Sequence, residues 1–155
     1  MTQERDVAFM KQALVLAAEA ATFGDVPVGA LVVRRDEVIS SSANRTVRDQ
    51  DPTAHAELLA IREASKVLGS WRLDGCSLYV TLEPCAMCAG AIVLARVDRV
   101  VYGAWDEKAG MAGSVADLLR HPRLNHRPEV LAGVCEPSAA ALLKEFFADR
   151  RVPSA

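Results

Sequence analysis

The chemistry in this sequence concentrates in His55-Ala56-Glu57 and Pro84-Cys85-Ala86-Met87-Cys88. Zinc favours sulfur and imidazole ligands, and a catalytic zinc keeps one of its four positions open for water. His55, Cys85 and Cys88 supply three such ligands. Cysteines at i and i+3 near a helix start can face one point, and the positive helix end draws their thiols toward the thiolate that binds metal. A lone Cys-x-x-Cys also describes two ordinary core cysteines, but pairing it with His-x-Glu at a second helix start sharpens the signal. An open zinc site brings the pKa of water down to about 7. Glu57 beside it could take the released proton and return it; a fourth metal ligand and a plain capping carboxylate are the other roles open to it. Residues two apart on a helix diverge by about 200°, so a metal shared by this pair of helices must lie off the helix end.

The elements that must position these residues alternate between helix and strand, which indicates one α/β layered structure. Val7, Met10, Leu14, Ala17, Ala18 and Ala21 recur at helical spacing, and Gly24 supplies a stop. Gly29–Val33 and Val38–Ile39 read as a hairpin around Arg34-Arg35-Asp36-Glu37. Asp51-Pro52-Thr53 offers caps for a helix running through Leu58, Ile61, Ala64 and Leu68 to Gly69. Leu78–Leu82 reads as a buried strand that Pro84 ends, and Cys85–Ala95 is apolar nearly all round, as an enclosed helix would be. Val100–Gly103 and Val130–Leu131 complete the strands, with a short helical stretch expected around Ser114–Leu119 as a crossover that makes the last pair parallel. A final helix carries Leu142, Leu143, Phe146 and Phe147 and ends in Asp149-Arg150-Arg151.

Composition limits the classes. A chain of 155 residues fits one domain, 1–155, and no stretch approaches the roughly 20 apolar residues of a membrane span. The N-terminus lacks the basic start and apolar run of a secretory signal, so a cytoplasmic location is expected. A net charge of −2 argues against indiscriminate nucleic-acid binding, so any RNA contact must be local. Cys76 and Cys135 are expected as small buried apolar side chains.

With these motifs in place, the chain resembles the bacterial tRNA adenosine deaminases, the TadA family, within the wider cytidine-deaminase-like group. The likeness also runs through Val26-Pro27-Val28-Gly29-Ala30, Asn44-Arg45, Asp51 to Glu57, Gly103 to Lys108, Gly113-Ser114, His121-Pro122 and Asn125-His126. It implies a three-layer α/β/α fold with a central mixed five-stranded sheet. It also implies one zinc ion per chain on His55, Cys85 and Cys88, with Glu57 as proton shuttle. The implied reaction is hydrolytic conversion of adenosine to inosine at the wobble position of a tRNA anticodon, with ammonia released. Asn44 would hydrogen-bond the target base and Val28 would line its pocket, while Asp106, Lys108, Asn125 and His126 would hold neighbouring anticodon-loop nucleotides. A homodimer is implied as well. Trp105 and Met111 depart from the residues the family would lead one to expect, often Arg and Ala. Two other readings compete: a deaminase of free bases or nucleosides, and a non-catalytic zinc-stabilised RNA-binding or scaffold module.

The three-ligand reading predicts about one zinc per chain, lost in Cys85→Ala and in Cys88→Ala. Metal analysis of the purified proteins checks this, and full occupancy in both variants would remove these cysteines from the site.

Overall fold

The structure, a computed structural model, describes residues 2–150. Nine elements follow one another: α1 (Thr2–Thr22), β1 (Gly29–Arg34), β2 (Glu37–Ala43), α2 (Ala56–Leu68), β3 (Cys76–Leu82), α3 (Ala86–Ala95), β4 (Arg99–Ala104), β5 (Glu129–Leu131) and α4 (Glu136–Asp149). The strands form one sheet in the order β2-β1-β3-β4-β5. β1 is antiparallel to β2 and to β3, whereas β3, β4 and β5 run parallel.

Alternation along the strands sends side chains to two cores. Ala30, Val32, Leu78, Val80, Val100 and Tyr102 meet α2 and α3 on one face. Leu31, Val33, Tyr79 and Val101 meet Phe9, Met10 and Ala13 of α1 on the other, and α4 packs there against β4 and α1. The result is the expected α/β/α sandwich around a mixed sheet. Helix α1 lies so close to β1 that a Cβ on Gly29 would sit 2.1 Å from the Ala13 carbonyl.

Local chemistry explains where the element bounds differ from the sequence pattern. The hairpin turn is confined to Arg35 and Asp36, both at positive φ (51° and 62°), which suits a two-residue turn and lets β2 run to Ala43. Asp51 and Thr53 do not cap α2: the Asp51 carboxylate accepts hydrogen bonds from the Thr53 amide and hydroxyl, closing a turn ahead of the helix. The stretch Ser114–Leu119 is not helical; it folds back through an isolated bridge between Ala112 and Asp117. The β4-to-β5 crossover is therefore a loop without a helix, although the strands are parallel as expected. Cys76 is buried, whereas Cys135 is half-buried and occupies the N-cap of α4 at φ 56°. Arg150 caps the C-terminus of α4, and Arg151 lies outside the described residues. Among the described residues, no helix is long and apolar enough to cross a membrane.

A charged network ties α1 to the sheet. Asp6 is buried and receives two hydrogen bonds from Arg99, both 2.7 Å, and one from the Tyr79 hydroxyl at 2.5 Å. The Arg99 guanidinium holds the Asp6 carboxyl below its ordinary range, while burial and the Asp6 hydrogen bond push Tyr79 up to about 12. Because the folded pKa of Asp6 is depressed, its contribution to stability is complete above the unfolded value of about 3.9 and is lost as pH falls through the folded value. Asp6→Asn should destabilise the fold by about 3 kcal/mol at pH 7, the scale of breaking a buried ion pair. The difference from wild type should shrink below about pH 4. Urea unfolding of both proteins at pH 7 and pH 3 tests this, and a pH-independent difference would contradict it.

Candidate active site

Two helices begin at the same end of the sheet, and the residue that opens each is a candidate metal ligand. His55 is the N-cap of α2, with extended backbone (φ −80°, ψ 147°); Cys85 is the N-cap of α3, also extended (φ −77°, ψ 179°). Neither side chain caps its helix. N-cap positions usually carry Ser, Thr, Asp or Asn, whose oxygens bond the free helix amides. Here both side chains turn to a common point. Cys88 reaches it from the first turn of α3. Since His55 is outside the helix proper, the 200° divergence between residues two apart does not separate it from Glu57.

Ligand atoms of His55, Cys85 and Cys88 all lie within 4.8 Å of one another. His55 Nδ1 is 3.5 Å from Cys85 Sγ and 3.6 Å from Cys88 Sγ. Tetrahedral zinc, with its usual bond lengths to nitrogen and sulfur, requires N···S edges of about 3.5 Å. The donor set and its spacing therefore fit zinc with three protein ligands, leaving a fourth position for water. Protons are divided unequally within the cluster: a hydrogen bond from Cys88 holds the Cys85 thiol down to about 3, and that same contact, with burial, pushes Cys88 up. The contact with Cys85 also raises His55. The Cys85 thiolate is thus supported by Cys88 and by the charge of His55, and a dication held there would favour both thiolates and a neutral imidazole.

Glu57 stands beside this cluster without joining it. It is 4 % exposed, and burial pushes its carboxyl up to about 7, a value at which it can both take and give a proton near neutrality. A cavity of about 210 Å³ opens over it, lined by His55, Glu57, Cys85, Val28, Asn44 and Asp106 among others. Asn44 is buried, donating to the Val26 carbonyl (3.2 Å) and accepting from the Thr46 hydroxyl (2.8 Å), so its amide plane is fixed before any ligand arrives.

Thr46, Ala109 and above all Glu83, which no sequence motif singles out, also line this cavity. Glu83 directly precedes Pro84-Cys85 and is 2 % exposed. Its carboxylate accepts backbone amides of Asp106 (3.0 Å), Ala112 (2.9 Å) and Ser114 (3.1 Å), together with the Ser114 hydroxyl. Burial alone would raise its pKa, but these donors hold it below the ordinary carboxylate value. Gly110 is required beside it, because a Cβ there would fall 2.3 Å from the Glu83 carboxyl carbon. Only the pairing of an acid before Pro-Cys with a loop glycine hinted at this strap in the sequence.

Of the outer residues, Asp106 borders the cavity, but its Oδ1 accepts the Lys108 and Ala109 amides of its own loop, at 3.1 and 3.2 Å. Lys108 lines an adjoining groove. Asn125 and His126 line neither. The His126 ring meets the Val97 carbonyl at 2.6 Å, just past the C-terminal end of α3, whereas Cys85 opens that helix. A ten-residue helix is about 15 Å long, so these two residues lie far from their own chain's cavity.

The family model for the cytidine and deoxycytidylate deaminase zinc-binding region matches residues 3–104. A tRNA-specific adenosine deaminase of Bacillus subtilis (strain 168) is 48 % identical over 151 residues, covering 97 % of this chain and 92 % of the relative. A solved structure from work on A-to-I editing by tRNA:A34 deaminases at the wobble position of transfer RNA is 45 % identical, with a TM-score of 0.82 over 88 % of this chain and 99 % of that one. A guanine deaminase from Nitrosomonas europaea is 27 % identical, with a TM-score of 0.74 over 92 % of this chain and 84 % of that one.

Replacing Glu83 by Gln would set an amide donor against backbone N–H groups and leave buried donors unpaired, at a cost of about 3 kcal/mol. Zinc content should persist while hydrogen exchange at residues 106–114 speeds up. Unchanged protection across that loop would show that Glu83 does not hold it.

Proposed function

Because the chain belongs to the cytidine and deoxycytidylate deaminase zinc-binding family, and within it with the tRNA-specific adenosine deaminases, we propose that it converts adenosine to inosine at the wobble position of a tRNA anticodon. The observation that carries this reading is the joining of a three-ligand zinc cluster to a small cavity whose floor holds a buried, uncoordinated carboxylate. A cavity of about 210 Å³ suits one flat base and leaves no space for a stacked duplex. An anticodon loop offers such a base unpaired.

His55, Cys85 and Cys88 would hold the zinc, which supplies Lewis acidity that makes water a competent nucleophile near pH 7. The chain's own residues do the rest. Val28 packs on the base, and Asn44 presents a fixed amide to its edge. Glu57 accepts a proton from the attacking water and delivers it to a ring nitrogen as the water oxygen bonds to the amine-bearing carbon. The remaining hydroxyl proton then passes through Glu57 to the amine. The carbon–nitrogen bond breaks, ammonia leaves, and a carbonyl remains.

A homodimer completes the reading. The outward side of α3 presents Ala86, Gly90, Ala91 and Leu94, with Leu94 exposed, and offers an apolar surface on which a second copy could pack. Such a pairing would let Asn125 and His126 of one protomer serve nucleotides held at the other's cavity. A tRNA substrate would place the reaction in the cytoplasm.

Glu57→Gln keeps the side-chain shape but cannot accept and return a proton. Inosine formation on an anticodon stem-loop should fall by about 10⁴-fold, the upper range for general acid–base catalysis, while zinc content and melting temperature hold. Loss of zinc together with stability would identify Glu57 as a ligand instead, and near-normal turnover by the zinc-loaded variant would overturn the mechanism.

A further inference from the structure

A groove of about 930 Å³ opens beside the base cavity and shares Val26, Leu82, Asp106 and Ala109 with it. Trp105 forms one wall, and Phe147 of α4 and the C-cap residue Arg150 line it as well. Trp105 is 51 % exposed, yet its position is fixed. It stands edge-on to the buried Tyr102, with centroids 6.3 Å apart and planes at 88°. Its six-membered ring also rests on Gly133, where a Cβ would come within 2.9 Å of Cη2. A half-exposed aromatic ring held in this way is a preformed surface whose ordering was completed in folding. Phe147 is 48 % exposed, and the Arg150 guanidinium lies 3.6 Å from the Phe146 ring centroid.

Charge does not explain this groove. Lys108 and Arg150 are offset there by Asp106, Glu107 and Glu136, so attraction to phosphate is weak. Flat aromatic area is what remains. A base drawn out of a loop into the adjoining cavity leaves its neighbour with an unstacked face, and aromatic side chains supply replacement stacking in single-strand binding.

We propose that Trp105 is the stacking platform for the nucleobase next to the target adenosine. The proposal rests on the reading that the target lies in an RNA loop.

The test uses zinc-loaded protein and an anticodon stem-loop. Trp105→Ala and Trp105→Leu should raise KM about 5- to 150-fold with kcat nearly unchanged, the range for loss of one stacked base. Trp105→Phe, which keeps a π-face, should recover most of the loss. A stem-loop lacking the base on one side of the target should penalise wild type and leave Trp105→Ala no worse, whereas removal on the other side should penalise both. Trp71→Phe leaves Trp105 as the sole tryptophan, and the stem-loop should quench its fluorescence. Absence of quenching, equal KM for the Leu variant and wild type, or additive penalties for both flanking bases would each overturn the proposal. Quenching and tighter binding than Trp105→Ala without any inosine would uphold the stacking platform and instead refute the assigned reaction.

Discussion

Two uncapped helix N-termini meeting at one point are the constraint on which the rest of the molecule depends. Each helix begins with a residue whose side chain would ordinarily be chosen to bond its own first-turn amides, and each gives up that bond. Loss of an N-cap costs about 0.5–2 kcal/mol per helix. What offsets it is the convergence of His55, Cys85 and Cys88 on a cation, with the positive end of α3 favouring thiolate. The parallel β3–β4 pair requires α3 to start at the C-terminal end of β3, and the long β2–β1–β3 antiparallel run brings the start of α2 to that same end. The sheet order thus decides where the metal can be.

Two buried carboxylates flank the cluster and are driven in opposite directions. Glu57 lies where burial dominates and its carboxyl is raised to about 7. Glu83 lies where three amides and a hydroxyl converge and is held ionised. One environment makes a proton carrier, the other a fixed anion that straps a loop over the cavity. Pairs of carboxyls pushed apart in this way divide mobile from static charge within a small site.

Much of this was legible in the sequence because it depends on local rules. Apolar spacing located the helices, β-rich runs located the strands, and the residue types at His55, Glu57, Cys85 and Cys88 specified a metal-ligand chemistry. Features set by tertiary context were not legible. The loop from Trp105 to Pro128 takes its path from Glu83, 23 or more residues earlier, so Ser114–Leu119 fails to form the helix its apolar residues suggested. Asp6 is buried because Arg99, 93 residues further along the chain, waits on the sheet, a pairing that no local pattern announces. Asn125 and His126 sit at the opposite end of α3 from the cavity, a separation no linear motif encodes.

The central claim is that the zinc cluster, Glu57 and the small cavity act together on an adenosine presented by an RNA loop. Incubating the zinc-loaded protein in parallel with an anticodon stem-loop, free adenosine, guanine and cytosine, and measuring both inosine and ammonia, tests it most directly. The account predicts inosine at the wobble adenosine of the stem-loop and little ammonia from the free compounds. Ammonia from a free base or nucleoside, with the stem-loop left unchanged, would contradict it.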